Sequence, residues 1–596
     1  MDLKPLSTRI CFLLILLFGI AAYSNTLTGS FQFDDIPNIL ENRFLQPLNL
    51  GKLWFYYPLR FVANFSFALN IHLTGLATWG FHVLNLLIHI LTSCIVFSLT
   101  LSILNTPSMK NWVLPAQQNL FALVAALLFT THPLQTQAVT YIVQRATSMA
   151  TLFYLTALWM YLRARLEDAR HYRIVFLLML AAMLTKEISF TLPFAILLSE
   201  LFFFPPSAED PLGKKLLHWM PFAAFLLIIP LLYLIYPHLL TRIDGSLNII
   251  PSIAKNTSRW DYFLTQFRVE RTYLRLLFFP VNQCLIYDYR LSKGWGDPNT
   301  WAAFSLLWSI LVLSFAFFKK NRLLTFGVLW FFLTLSVESS LIPVPDLIFE
   351  HRLYLPMFGF VLFLTSLLWT FFRSGKWFTA ISLVIAVVLS GMTYVRNEVW
   401  KTITSLAQDV VRKNPHKGIS YAGLGDAYSR EARDDKAAVV CYRKALDLGF
   451  TTPWVFYNIA AAYSRLGEYE KSLPFQKIIS SSSALKESTP FYDNHALALI
   501  NKGENAAAVK MLKEDLKMSP ENPLLYIQLG EAYRKMEREN EAVASFRKAI
   551  ELAPLSQEGY NALALLYKRK GDEPGAVAVM VEYLKYKKKQ KPLFGD

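Results

Sequence analysis

At 596 residues, 54% of them hydrophobic and 15% aromatic, with a mean hydropathy of +0.33, the chain is too apolar for an ordinary soluble enzyme and is expected to cross a membrane many times. The formal charge of +16 does not imply nucleic acid, because many Lys and Arg residues sit in short connections between apolar segments, where positive charge fixes orientation. Cys11, Cys94, Cys284 and Cys441 are scattered without CxxC or alternating Cys/His spacing, which indicates neither a zinc site nor a disulfide framework.

Lys4 and Arg9 precede the apolar run 10–23, which reads as a first membrane helix or as a signal peptide ending near Ala21-Ala22. The helix is preferred because more spans follow, and either way the N-terminus stays inside. Further spans are expected over 81–104, 120–131, 148–162, 174–185, 189–204, 217–236, 301–318, 323–337, 354–372 and 377–394, about eleven crossings in all. Lys110, the group Arg163, Arg165, Arg170 and Arg173, the pair Lys214-Lys215, the trio Lys319, Lys320 and Arg322, and the pair Arg373 and Lys376 fall on alternate connections, which are therefore assigned to the cytoplasm. The Asp34-Asp35 loop, 132–145, Lys186-Glu187, 237–299 and 337–352 then lie on the exoplasmic side. Within the long piece, 262–280 is apolar but carries Arg268, Glu270, Arg271 and Arg275 at helical spacing, so an interfacial amphipathic helix is expected there.

After Trp400 the composition turns polar and a repeat appears. Gly425, Ala460, Ala496, Gly530 and Ala564 recur at intervals of 35, 36, 34 and 34, and Ala437, Ser472, Ala508, Ala542 and Ala576 follow them by twelve residues each time. This is the tetratricopeptide pattern, in which small residues let two antiparallel helices approach while Tyr428, Tyr463, Tyr533 and Tyr567 fill the space between them. The expected fold is all-α: a polytopic transmembrane helical domain over 1–400 and an α-solenoid of about five repeats over 401–596, with 522–554 the best-formed unit. The repeats offer a surface for an extended peptide or a partner helix, outside the cytoplasm by the topology above.

No GxxxxGK[ST], HExxH or GxSxG occurs, so nucleotide hydrolysis, zinc proteolysis and hydrolase-type acyl transfer have no local support. What remains is charge at exoplasmic membrane ends. Asp34 and Asp35 supply carboxylate; Arg60, Arg145, Lys186, His351 and Arg352 supply positive or hydrogen-bonding groups; Glu187, Glu350 and His132 accompany them. Transfer of a sugar from a polyprenyl-phosphate lipid needs this mixture. The acceptor hydroxyl must lose a proton as it attacks the anomeric carbon, and the departing lipid phosphate needs positive partners. Other readings stand beside it. Arg145, on a helical face shared with Gln137 and Tyr141, would snorkel to headgroups; Lys186-Glu187 would form a local ion pair; His351-Arg352 would anchor the interface; His132 would be a satisfied structural histidine.

The segments FQFDD (31–35), PLRFVANFSFALN (58–70), WGFHVLNLLIH (79–89), HPLQTQAVTYIVQR (132–145), Lys186-Glu187 and EHRLYLP (350–356), in this order and before repeats, resemble type-C polytopic glycosyltransferases that use lipid-phosphate sugars, in the branch fused to tetratricopeptide repeats. Relatives of this layout include the eukaryotic transmembrane-and-tetratricopeptide O-mannosyltransferases and bacterial membrane proteins. The resemblance implies a polyprenyl-phosphate sugar donor, an exoplasmic site with Asp34 or Asp35 as base, Asp35 slightly preferred, and inverting transfer without a nucleotide-sugar pocket. Arg145, Lys186, His351 and Arg352, with Arg60 next, would contact the donor phosphate. No cofactor is expected; Mg²⁺ or Mn²⁺ on the adjacent aspartates is a disfavoured alternative. Relatives often carry Glu where this chain has Gln137, so no acid/base role is assigned there.

The expectation is an integral membrane enzyme of a bacterial inner membrane, with active site and repeats on the periplasmic side, transferring sugar to Ser/Thr hydroxyls of an exported protein held near the repeats. Alternatives are a lipid or glycan acceptor, or a membrane scaffold or transporter working through its repeats.

Overall fold

The computed structural model describes residues 6–589 apart from 43, 46–47, 208–209, 237–257, 345, 373–374, 481–495 and 498. The described residues form helices joined by turns, bends and irregular segments, with no strand among them. The chain divides into two compact units, Met1–Lys413 and Asn414–Asp596. Helix Ile403–Lys413 thus groups with the first unit rather than with the repeats. Leu406 and Val410 pack into one apolar cluster with Tyr141, Cys284, Leu285 and Trp400, and Asp409 pairs with Arg396 at 2.7 Å.

The first unit is a helical bundle with an apolar core that also turns apolar residues outward. On helix Thr78–Leu104 the residues Trp79, Val83, Leu87 and Leu91, four apart, are exposed, while His82, Asn85, His89, Thr92 and Ser93 are buried. An apolar stripe turned outward and a polar stripe turned inward suit a hydrocarbon solvent. His89 shows what the inner stripe does. One ring nitrogen lies 3.0 Å from the Thr130 carbonyl and the other 2.8 Å from the Tyr354 hydroxyl, so one side chain ties three segments together. Where helices Arg322–Leu335 and Met357–Phe371 cross, a Cβ at Gly359 would lie 2.7 Å from the Gly327 carbonyl oxygen, so glycine permits the contact.

Among the described residues, five helical segments are long and apolar enough to cross a bilayer: Thr8–Thr28, Thr78–Leu104, Leu212–Ile235, Pro298–Ala316 and Gly375–Val399. Arg322–Leu335 and Met357–Phe371 are apolar but shorter. The protein is an integral membrane protein on this evidence. The segment expected to be an interfacial amphipathic helix forms helix Arg259–Phe278. The Tyr262 and Tyr273 hydroxyls and the Gln266 amide donate to the Glu338, Phe349 and Leu347 carbonyls, so the helix braces the 338–349 connection.

Charge is sorted between the two ends of this bundle. At one end Glu200 receives Arg165 at 2.9 Å and Lys215 at 2.6 Å, both cations also reach Asp210, and Arg322 donates to the Phe202 carbonyl and the Ser108 hydroxyl. The other end holds the Asp34 loop, Arg60, Lys186, Glu338 and the Glu350–Leu353 turn. Arg373 lies outside the described residues.

In the second unit four of the about five helix pairs expected from the repeat are described: Gly418–Ala427 with Asp435–Asp447, Pro453–Arg465 with Tyr469–Ser480, Pro523–Lys535 with Glu539–Leu552, and Gln557–Arg569 with Glu573–Lys589. The unit expected around Ala496 falls partly on 481–495 and 498, outside the described residues, and keeps helix Asn505–Met518. A Cβ on Gly425 would stand 2.7 Å from the Tyr442 ring and one on Gly530 2.5 Å from the Phe546 ring, so the absent side chain is what admits the ring of the second helix.

Candidate active site

The FQFDD loop is bent at Phe33, whose φ of +38° is left-handed and costly for an aromatic residue. That bend sends the two carboxylates to different places. Asp35 is fully buried, and its oxygens accept the Gln32 N–H at 2.8 Å and the Val143 N–H at 2.7 Å. It therefore fastens the first loop to the 140–145 segment. Burial pushes its carboxyl up, and the backbone donors oppose that shift. Asp34 is half-buried; its own N–H donates to the Tyr141 hydroxyl at 2.7 Å, and Tyr141 stacks on Trp400 with ring centroids 5.2 Å apart. Burial pushes the Asp34 carboxyl up to about 6; the Tyr141 hydroxyl and Arg60 act against burial, and Asp346 acts with it.

The cations form a connected group. Half-exposed Arg60 pairs with Glu187 at 3.2 Å. Buried Lys186 donates to the Thr147 hydroxyl at 2.8 Å and lies 3.7 Å from Glu338. Buried Arg352 donates to the Asp346 and Leu347 carbonyls at 2.8 and 3.2 Å, and its Nε lies 3.8 Å from the same Glu338 oxygen without a hydrogen-bond partner. The local Lys186-Glu187 ion pair considered from sequence does not form: each residue pairs with another segment. Burial pushes the Lys186 ammonium below its usual range, and Glu338 works against that. His351 senses Lys186, Arg352 and Arg60, and Asp34 senses Arg60, so acid and cations share one electrostatic neighbourhood.

Three nominated residues are committed elsewhere. Arg145 is fully buried and does not snorkel: Nε donates to Asn85 at 2.6 Å, Nη2 to Asn70 at 2.8 Å and to the Phe81 carbonyl at 3.2 Å, and Nη1 to the Ser66 carbonyl at 3.3 Å. The Phe67 ring lies 4.6 Å from its guanidinium carbon. Glu350 holds a turn, accepting the Cys284 N–H at 2.7 Å, the Tyr287 hydroxyl at 2.5 Å and the Gln283 amide at 2.9 Å. His132 caps its own helix end, with Nε2 at 3.0 Å from the Leu277 carbonyl and Nδ1 accepting the Leu134 N–H, as the structural-histidine reading had it.

The shared helical face expected for Gln137, Tyr141 and Arg145 is corrected. Helix Thr136–Val139 stops before an extended Tyr141, so the three side chains diverge: Gln137 to His351, Tyr141 to Asp34, Arg145 to Asn85. Sequence reading missed Glu338 and Asp346 as individuals, although both lie in the 337–352 connection it drew on this side. An acid among cations at a membrane end was the signal. Among the described residues no three His, Cys, Asp or Glu side chains gather as a metal-binding group.

Comparison with known proteins gives the geometry a context. The protein O-mannosyl-transferase TMTC3 of Homo sapiens is 25% identical over 92% of this chain and 64% of its own length; the Tmtc3 enzyme of Drosophila melanogaster is 24% identical over 83% and 61%. The chain is homologous to these O-mannosyl-transferases over most of its length. It spans under two thirds of the relatives' length. The family model of the tetratricopeptide repeat matches residues 524–554 of this homologue, within the unit that sequence reading ranked best formed. A solved structure, MamA from residue 41 onward of Desulfovibrio magneticus RS-1, is 17% identical and covers 29% of this chain and 97% of its own, with a TM-score of 0.25.

Proposed function

We propose that the protein is a membrane glycosyltransferase that moves a sugar, mannose by analogy with the names of its relatives, from a polyprenyl-phosphate carrier to Ser/Thr hydroxyls of an exported protein. The carrying observation is that Lys186 and Arg352 converge on one Glu338 oxygen at 3.7 and 3.8 Å, beyond hydrogen-bond distance, in the neighbourhood of Asp34. Two buried cations with unused N–H donors are suited to an anionic oxygen, and a phosphate outcompetes a lone carboxylate at such a site because it offers more acceptors.

Asp34 is the base in this reading. It is half-buried, whereas both Asp35 oxygens are taken by backbone amides, so the slight preference for Asp35 gives way. Asp34 takes the proton of the acceptor hydroxyl as that oxygen bonds to the anomeric carbon, and the carbon–oxygen bond to the lipid phosphate breaks on the opposite face, inverting the anomeric centre. Lys186 and Arg352, with Arg60 at the exposed rim, stabilise the departing phosphate. The reaction takes place on the exoplasmic side, periplasmic in a bacterium, with about eleven crossings between the two charged ends. The repeats recruit the acceptor polypeptide.

The test compares intact masses of exported proteins from cells carrying the wild-type chain, the Asp34→Asn variant or neither. Hexose increments present only with the wild type support the reading; identical mass profiles in all three overturn it.

A further inference from the structure

His351 is a poor phosphate ligand as it stands, and its surroundings say what it suits instead. Gln137 Oε1 accepts the His351 backbone N–H at 2.6 Å, which fixes that oxygen, and not the amide nitrogen, toward the histidine. The same oxygen lies 3.2 Å from His351 Nδ1. Only a ring N–H can meet a carbonyl oxygen at that distance, so Nδ1 carries a proton, and in the neutral ring the lone pair is on Nε2. No described residue hydrogen-bonds Nε2, and the ring is held flat against Phe349, with centroids 5.1 Å apart and planes at 27°.

Burial, together with Lys186, Arg352 and Arg60, keeps this imidazole well below the usual histidine range. The group that hydrogen-bonds it is an amide, not a carboxylate, and the Gln137 nitrogen is itself buried without a partner. A Glu at that place would accept from both N–H groups and add a negative charge that draws a second proton onto the ring; the Gln137 amide accepts from both without that charge. A neutral imidazole with an unused lone pair on Nε2 repels phosphate oxygens and accepts an O–H. On a glycosyl-phosphate headgroup the O–H groups belong to the sugar.

We propose that His351, held as the Nδ1–H tautomer by Gln137, recognises a hydroxyl of the transferred sugar through Nε2, leaving the phosphate to Lys186 and Arg352. This rests on the glycosyltransferase reading above, and His351 thereby becomes a specificity determinant and Gln137 its positioning residue.

The test uses the full chain in membranes with farnesyl-phosphate mannose and its 2-, 3-, 4- and 6-deoxy analogues. With the wild type, one analogue loses about ten- to a hundredfold in kcat/KM. His351→Phe brings the parent donor down to that level and abolishes discrimination against that analogue alone, and His351→Gln, which retains an acceptor, recovers part of it. Discrimination unchanged in His351→Phe overturns the proposal. Independently of turnover, ¹⁵N spectra of histidine-labelled protein, with His351 assigned by difference from His351→Phe, show Nδ1 protonated and Nε2 unprotonated at pH 7, and Gln137→Glu converts the ring to the doubly protonated form near neutrality. A doubly protonated His351 in the wild type also overturns it. Absence of any mannose transfer by the wild type fails the donor assignment, while the ring state still decides whether His351 presents an acceptor.

Discussion

Asp35 gives its oxygens to the backbone N–H groups of Gln32 and Val143, so replacing it removes an anchor rather than a reagent. Asp35→Asn puts an amide nitrogen against a backbone donor and is expected to lower stability by about 1–3 kcal/mol, read as a fall in Tm. Asp34→Asn lifts the burial penalty of a charged carboxyl, so at neutral pH it leaves Tm undiminished or raised while lowering kcat by about 10²–10⁴. A base works only when ionised, and burial places the Asp34 carboxyl at about 6, so kcat/KM rises with pH through about 6 and that limb disappears in Asp34→Asn. The fold has the opposite slope: a carboxyl raised above its unfolded value near 4 binds more protons when folded, so its contribution favours the fold at low pH and falls as pH climbs from about 4 to about 6. Arg145→Ala strips partners from Asn85, Asn70 and two carbonyls at once. We expect lost expression or a Tm drop equivalent to about 3–5 kcal/mol, where a mere phosphate contact would show a raised donor KM in a stable protein.

At the scale of elements, the 337–352 connection supplies both the counter-charge and the cation of the site. Glu338 sits where a donor phosphate would compete for Lys186 and Arg352, so Glu338→Gln is expected to lower the donor KM several-fold, as titration with farnesyl-phosphate mannose would show; an unchanged KM places the phosphate elsewhere. In the repeats, Gly530→Ala presses a methyl group into the Phe546 ring and should cost about 1–3 kcal/mol, visible as faster hydrogen exchange across Pro523–Leu552. Helices and repeat units were legible because apolar runs and a small residue every thirty-odd positions are local, periodic signals. Residue type drew Asp34, Arg60, Lys186, Glu187, His351 and Arg352 together, and the structure puts them in one electrostatic neighbourhood. The commitments of individual atoms were not legible, since Asp35 is claimed by an amide 108 residues away and Arg145 by Asn70 at a separation of 75. The helical face drawn through Gln137, Tyr141 and Arg145 failed because spacing of four carries meaning only while the helix continues, and this one ends at Val139.

For the first unit taken whole, the sorting of charge to two ends is what makes a lipid-linked reaction physically reasonable. In the proposed reaction the lipid tail of the donor would lie along exposed apolar faces of the unit while its phosphate meets Lys186 and Arg352, and the ion network around Glu200 marks the other end. The direct test of the account is initial-rate transfer from farnesyl-phosphate mannose to a Ser/Thr peptide by the full chain in sealed vesicles, with Asp34→Asn and Lys186→Ala beside the wild type. The account predicts transfer by the wild type, a loss of about 10²–10⁴ in Asp34→Asn and about 10²–10³ in Lys186→Ala, with both variants still folded. Undiminished transfer in Asp34→Asn would contradict it.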